Sequence, residues 1–339
     1  MKQNISIFAI LFLSSICGAH ALEYNSGNMT LKLTGYGTAG FIEPDFNQPD
    51  FLGDFRARGQ MNYEMDNVRT FGLVYAIDAA ALDEDDYMRE AFTFLEQRGL
   101  GRIELGFTDS VARKLSVGLP DVGGMRVNDK PLFYKKIRPD GAFISDTTLT
   151  TGRDAFRLNV VSASMRGLQY GASVAAFADD YDYSIDAGIK IRRPAGKLKT
   201  AYSFSASFTE NVDGFTTDAY TAPVFADWRA QGAIGMNLQY NSWILGMNVR
   251  AIYDENPVGI VSDGISAGTG ISYDLLKYSV SLSYIFSDTG IWDSDTDNYD
   301  AHTVIGSFRY KYSSDVDFWL SLGMTTDTPF VSVALRLNF

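Results

Sequence analysis

The sequence of 339 residues is long enough for one large domain or two ordinary ones, and no linker rich in Pro, Ser or Gly divides it. Its 41 acidic and 29 basic residues give a net charge of -12, which argues against nucleic acid as a partner. The one cysteine, Cys17, lies near the amino terminus, so the rest of the chain offers no disulfide, thiol nucleophile or cysteine-ligated metal.

Residues 1–21 have the pattern of a secretory signal peptide, with a positive start, an apolar centre and a small-x-small end. We therefore predict that the mature chain begins at Leu22. A lipoprotein signal at Cys17 is the weaker alternative, because Ile16 is too large for the position that precedes a lipidated cysteine.

After residue 21 no apolar run approaches the ~18 residues that a membrane-spanning helix needs. The apolar residues are instead dispersed by alternation, which is typical of transmembrane strands. The repeating unit is a hairpin of two alternating segments joined by a tight turn and followed by a longer acidic loop. The outer row of the first such strand is Leu31, Leu33, Gly35, Gly37, Ala39 and Phe41.

The alternation continues along the chain. In the second strand Arg56 and Arg58 fall on the polar face, and a turn is predicted at Asp66-Asn67. Segments around 228–240, 243–253 and 278–286 repeat the pattern, and tyrosines gather at strand ends, as in interfacial aromatic girdles. The count predicts an all-β fold, a transmembrane antiparallel β-barrel of about sixteen strands. A barrel of that size encloses water, so we expect a channel.

The last segment, residues 330–339, places Leu335, Leu337 and Phe339 on one apolar face. An apolar strand at the end of the chain leaves an open edge, which we expect the first strand to cover. This pattern resembles the carboxy-terminal assembly signal of Gram-negative outer-membrane proteins. The resemblance implies recognition by the barrel-assembly machinery.

The longest connection, residues 108–152, is too long for a structureless loop without a function. Residues 89–95 and 99–106 before it, and 157–174 after it, resemble the corresponding hairpins of the general diffusion porins. Within it, Leu119-Pro120-Asp121-Val122-Gly123-Gly124 is similar to their Pro-Glu-Phe-Gly-Gly signature. The resemblance implies that residues 22–339 form one porin barrel whose third loop folds inward as a constriction.

The resemblance also implies a site. Asp121 corresponds to the acidic loop residue, and Arg56, Arg89 and Arg153 correspond to the basic ladder on the wall; alternation places these three arginines on inward faces. Arg58, Arg102 and Arg157 are further basic candidates for the constriction, or simply solvated lumen residues. Two departures from the family pattern are Thr38, where lysine is frequent, and Val117, where a second carboxylate is frequent. We expect weak charge selectivity that tolerates anions.

Acidic residues concentrate around 43–54, 83–86, 179–182 and 293–300, in the predicted outer loops. One hypothesis is that Ca²⁺ or Mg²⁺ bridges them to lipopolysaccharide phosphates. The favoured interpretation is a soluble acidic rim without a cofactor.

The location expected from these patterns is the outer membrane, in contact with its lipid. The resemblance implies a homotrimer, and small residues on the outer face of the first two strands weakly support close subunit contact: Gly35, Gly37, Ala39, Ala57 and Gly59.

Two other functions are alternatives to a general channel. A sugar-specific channel would use inward aromatic residues such as Phe177 and Trp319, although no continuous track follows. An outer-membrane enzyme is disfavoured because His20 leaves with the signal peptide and His302 is predicted to face outward.

Overall fold

A computed structural model describes residues 22–44, 50–80, 88–120, 122, 155–178, 181–215, 224–255, 261–289, 299–325 and 328–339. The predicted signal peptide, residues 1–21, and most of the acidic loop segments lie outside these ranges. Among the described helical residues, no helix has the length and apolarity to cross a membrane.

The described residues form seventeen strands and one short helix. The first nine strands are β1 (Leu22–Ser26), β2 (Met29–Pro44), β3 (Asp50–Glu64), β4 (Arg69–Ala80), β5 (Met88–Gln97), β6 (Gly101–Thr108), β7 (Ala155–Ser162), β8 (Leu168–Ala178) and β9 (Tyr181–Ala195). The helix, α1 (Val111–Leu115), follows β6. The remaining strands are β10 (Leu198–Phe215), β11 (Val224–Tyr240), β12 (Trp243–Glu255), β13 (Val261–Leu275), β14 (Tyr278–Thr289), β15 (Tyr299–Lys311), β16 (Val316–Thr325) and β17 (Thr328–Asn338).

The sheet closes on itself because the last strand pairs with the beginning of the chain. β17 is antiparallel to β2, with Asn338 opposite Tyr36 and Phe330 opposite Pro44. The Gly35 N–H donates to the Phe339 carbonyl at 2.7 Å, and the Phe339 N–H donates to the Gly35 carbonyl at 2.9 Å. Closure satisfies the backbone groups of both edges, as a strand in lipid requires. The predicted pairing of the last strand with the first is therefore confirmed.

The short strand β1 was not predicted. It pairs with the lower part of β2, with Leu22 opposite Leu33, on the same edge that β17 occupies farther up. β1 and β17 therefore share one position in the ring, and the seventeen described strands make a barrel of sixteen positions. The prediction of a sixteen-stranded antiparallel barrel is confirmed.

The two faces of each strand differ as the alternation predicts. On β14, Val280, Leu282 and Tyr284 are exposed on the outside, while the serines between them are buried on the inside. Aromatic rings stack near strand ends, with centroids 5.2 Å apart for Trp228 and Tyr253. The outer surface is thus apolar with aromatic margins, the surface that a transmembrane barrel presents to lipid.

Short turns join the strands at one end of the barrel. The predicted turn at Asp66-Asn67 is present, and Asp66 Oδ1 accepts hydrogen bonds from the N–H groups of Val68 and Arg69 at 2.9 and 2.8 Å. Asn241, in the turn between β11 and β12, has a φ of 52°. Asn adopts this left-handed conformation more readily than most residues, which suits it to a two-residue turn.

Candidate functional site

The chain enters the lumen directly after β6. Ser110 caps α1, its Oγ accepting from the Arg113 N–H at 3.2 Å, and the helix ends at Ser116, whose N–H donates to the Arg113 carbonyl. Val111, Ala112 and Leu115 are buried against the inner wall. The described residues 109–120 and 122, here called the inward segment, confirm that the third loop folds into the barrel.

The inward segment is held along the wall by polar side chains from successive strands. Because serine and asparagine project inward there, the backbone of the segment finds donors and acceptors without a strand of its own. The bonds are Val111 N to Ser173 Oγ at 3.1 Å, Val117 N to Ser203 Oγ at 2.9 Å, Asn248 Nδ2 to Val117 O at 2.7 Å, Asn237 Nδ2 to Gly118 O at 3.1 Å and Val122 N to Ser281 Oγ at 3.2 Å.

Glycines of the wall allow the segment to approach this closely. A Cβ at Gly235 would lie 2.3 Å from the Val117 carbonyl oxygen, and one at Gly246 would lie 2.3 Å from Pro120 Cδ. No side chain fits at such distances, so these two positions need glycine to accommodate the segment.

A buried ion pair lies in the wall beneath α1. The Arg157 guanidinium on β7 donates to Asp186 on β9 at 2.6 Å, and both side chains are fully buried. Asp186 also accepts from Ser173 and Ser184, and Ser173 in turn accepts from the Val111 N–H. The ion pair is therefore connected to the start of α1 through one serine.

A second charged cluster ties the segment to β6. The Glu104 carboxylate accepts from Lys114 of α1 and from Asn159 Nδ2 at 2.9 Å, and it forms an ion pair with Arg102 at 2.9 Å. The Arg102 guanidinium lies 3.5 Å from the centre of the Phe94 ring. Burial lowers the pKa of the Lys114 ammonium, and the neighbouring Glu104 carboxylate opposes that shift.

Basic residues also face the lumen on β3 and β17. Arg58 lies 3.8 Å from the Glu90 carboxylate. The Arg336 guanidinium is 4.1 Å from the ring centres of both Tyr36 and Trp319. Trp319 therefore faces inward, as predicted, but its ring stacks on an arginine.

The structure places only part of the predicted constriction. The strand register puts Arg56, Arg58, Arg102 and Arg157 on the inward face, but Arg157 is buried beneath α1 instead of facing open water. Arg89 lies where the pairing of β4 and β5 shifts by one residue, and only its backbone is described. Asp121 and Arg153 lie outside the described residues, so the charge ladder as a whole stays a prediction.

Sequence reasoning missed Glu104, Asn159 and Asp186. Alternation places Glu104 on the same face as Arg102, two residues away, and this spacing was the one available signal. The partner of Arg157 lies two strands away across β8, beyond any pattern that a single sequence shows.

His302 is exposed on the outer surface, where its Nδ1 is 2.7 Å from the Tyr284 hydroxyl. Its predicted outward position is therefore confirmed.

A closed barrel with an apolar outer surface, a polar interior and an inward segment defines the class of outer-membrane channels. Residues 9–328 match the sequence model of the Gram-negative porins, and the chain belongs to that family. No curated protein sequence matches the chain.

Solved structures share the fold at low sequence identity. OmpT of Vibrio cholerae in a trimer form is 12% identical, with a TM-score of 0.69 over 92% of this chain and 100% of that one. The anion-selective porin from Comamonas acidovorans is 13% identical, with a TM-score of 0.64 over 92% and 100%. OmpF of Salmonella typhi in complex with daunomycin is 12% identical, with a TM-score of 0.65 over 94% and 100%.

The close approach at Gly235 generates the first prediction. In Gly235→Val the new side chain cannot coexist with the Val117 carbonyl, so the inward segment is displaced toward the centre of the lumen and single-channel conductance falls. Overpacking of this kind costs about 1–3 kcal/mol. The matched control is Gly232→Val on the same strand, where the nearest atom to a Cβ is the Ser205 carbonyl oxygen at 4.0 Å. Equal conductance in both variants would contradict the docking of the segment at this position.

The buried ion pair generates the second prediction. Asp186→Ala leaves the Arg157 guanidinium buried without its carboxylate, and we expect the free energy of unfolding in detergent to fall by about 3–5 kcal/mol. Urea unfolding followed by tryptophan fluorescence measures this loss. The double variant Arg157→Met with Asp186→Leu buries no charge and should retain most of the stability. A double variant no more stable than Asp186→Ala would refute the electrostatic explanation.

Proposed function

We propose that this porin is a passive channel for ions and small hydrophilic solutes, with weak charge selectivity that tolerates anions. The observation that carries the proposal is an asymmetry of burial inside the barrel. Beneath the inward segment the wall residues are buried, whereas the inward side chains at the short-turn ends of β2, β3 and β17 are partly exposed. The buried set includes Ser173, Asp186, Ser203, Ser205, Ser207, Gln231, Asn248 and Ser281, and the exposed set includes Thr34, Tyr36, Thr38, Arg56, Arg58, Gln60, Asn62 and Arg336.

The proposed aqueous path therefore runs past the short-turn ends of β17, β2 and β3, since farther along β2 and β17 the inward Ile42, Phe330 and Ser332 are buried. It carries the partly exposed cations Arg56, Arg58, Arg336 and Lys114. Several of these cations face carboxylates, as Arg58 faces Glu90, which reduces the net field that an ion meets. Charges of both signs facing a narrow passage favour weak selectivity. In this proposal Asp121, Arg89 and Arg153 complete the constriction.

We propose a homotrimer that forms through the wall around β2 and β3. A Cβ at Gly59 would meet only the Tyr75 carbonyl oxygen, at an ordinary contact distance of 3.9 Å, whereas a Cβ at Gly35 would lie 2.5 Å from the Phe339 ring of the same chain. The Phe339 ring also stacks on Phe55 at 6.0 Å. The outer-wall surface proposed for another subunit is therefore Ala39, Ala57 and Gly59. The trimer form of Vibrio cholerae OmpT supports this assembly as a precedent for the fold.

We also propose how the protein is delivered to the outer membrane and how it contacts lipopolysaccharide there. Signal-peptide cleavage before Leu22 delivers the chain, and the barrel-assembly machinery recognises the strand that ends in Leu335, Leu337 and Phe339. The outer-loop acids remain candidates for Ca²⁺ or Mg²⁺ bridging to lipopolysaccharide, the weaker of two proposals beside a solvated rim. Within the described residues no cluster of His, Cys, Asp and Glu has the arrangement of a metal site.

A sugar-specific channel is the second candidate function. Trp319 and Tyr36 face the lumen, but both rings pack on the Arg336 guanidinium, so their faces are not a free stacking surface. Liposome swelling with sugars of increasing size separates the two functions. A sharp cutoff by mass supports the general channel, and saturation by one sugar class supports the specific one. An enzyme is the less favoured third function.

The selectivity is tested in planar bilayers under a salt gradient. We expect Arg58→Gln to shift the reversal potential toward cations, because it removes a positive charge that is 41% exposed in the proposed path. Arg69→Gln is the matched control, since Arg69 is exposed beside the turn at Asp66 and outside the lumen. Strong cation preference in the unmodified protein, or equal shifts in the two variants, would contradict the proposal.

A further inference from the structure

The cluster around Glu104 joins the inward segment to the wall at a point that no predicted site residue except Arg102 touches. We infer that Glu104 is the residue that positions α1 in the lumen and sets the weak charge selectivity, by holding the cations Lys114 and Arg102 together. This inference rests on the proposed channel function and assigns its selectivity to a residue outside the predicted ladder.

Glu104 contacts side chains from three elements. Lys114 of α1 and Asn159 of β7 donate hydrogen bonds to it, and Arg102 of the same strand forms an ion pair with it. The Asn159 side chain also donates to the Asp109 carbonyl at 2.9 Å, at the very start of the inward segment. One carboxylate, itself only 5% exposed, therefore fixes both the origin of the segment and its helix relative to the wall. Buried charge-assisted hydrogen bonds of this kind define geometry strongly.

The two cations, Arg102 and Lys114, lie over aromatic side chains. The Arg102 guanidinium lies over the Phe94 ring, and the Lys114 ammonium is 4.9 Å from the centre of the Phe92 ring. Both rings and Val74 form a buried cluster inside the barrel. Arg102 and Lys114 remain 25% and 24% exposed, so both contribute to the field in the lumen. In this partly buried setting a change of one unit of charge is less screened than it is in open water.

Glu104→Gln therefore has two consequences. It removes the negative charge between two cations, which favours anions in the passage. It also weakens the contact that holds Lys114, so α1 is less firmly placed. The first effect appears in the reversal potential, and the second appears as fluctuation of the open-channel current, a readout that charge alone does not change.

Glu96 provides a matched control. It lies on the inward face of β5, 4.0 Å from Arg102, but it is 52% exposed, and its described ion pair reaches β6 and not α1. Glu96→Gln removes the same charge from the same partner without touching the inward segment. The comparison therefore separates the loss of a carboxylate near Arg102 from the loss of the anchor.

The experiment records single channels and reversal potentials for the full protein in planar bilayers. The variants are Glu104→Gln, Lys114→Met, the double variant and Glu96→Gln, each first shown to fold by its heat-modifiable mobility. We expect Glu104→Gln to shift the reversal potential toward anions at least about twofold more than Glu96→Gln does. Lys114→Met should shift it toward cations, and the double variant should return near the unmodified value.

Current fluctuation should rise in Glu104→Gln and in Lys114→Met, and in the double variant it should rise no further, because both changes break one contact. Additive fluctuation, or a Glu104→Gln shift no larger than that of Glu96→Gln, overturns the inference while leaving the channel function intact. If Glu104→Gln does not fold, Lys114→Met tests the same contact from the other side. A silent bilayer with the unmodified protein instead refutes the proposed function itself.

Discussion

The structure depends on the pairing of its last strand, β17, with β2. In a bilayer no water satisfies a free strand edge, so a sheet that crosses it must close. The two hydrogen bonds between Gly35 and Phe339 are where this closure ends, and β1 continues the same position below them. Every inward and outward row follows from that register, since a slip of one residue would exchange the lipid-facing and lumen-facing side chains.

Closure also fixes the surface on which the inward segment is built. Once serines, asparagines and glycines of β8 to β14 point inward at matched heights, they form a continuous polar track with room for a backbone. The segment adds hydrogen-bonded chain along β8 to β14 and leaves the inward side chains at the short-turn ends of β2, β3 and β17 partly exposed. The proposed constriction and off-centre passage thus depend on one packing arrangement, anchored at its beginning by the Glu104 and Arg157 clusters.

Much of the fold was predictable because alternation is a local pattern. The outer rows, the tight turns and the pairing of the final strand follow from the spacing of apolar residues, whereas the inward loop was expected from the resemblance to the general diffusion porins. β1 was not predictable on these grounds, since Leu22–Ser26 is only five residues long and all are exposed. The shift in strand pairing at Arg89 was also not predictable, because a strict two-residue alternation along β5 does not reveal the extra residue of a bulge.

The candidate site was less predictable than the fold. The inward orientation of Arg56 and Arg58 follows from the alternation of side chains along a strand. The partners of Arg157 and Lys114 are instead brought together by the three-dimensional path of the chain. An arginine on an inward face can be exposed to the water of the lumen or buried beneath the inward segment, and the alternation of side chains does not distinguish these two outcomes. Arg58 and Arg157 differ in this way, the first 41% exposed and the second fully buried.

The central claim is that water follows the side of β3 and not the side of β10. The most direct measurement introduces single cysteines at Gln60 on β3 and Ser205 on β10, since Cys17 is the one natural cysteine. A charged, membrane-impermeant thiol reagent should react at Gln60→Cys and reduce the conductance, while Ser205→Cys stays unmodified beneath the inward segment. Equal modification at both positions, or modification at Ser205→Cys alone, would contradict the account.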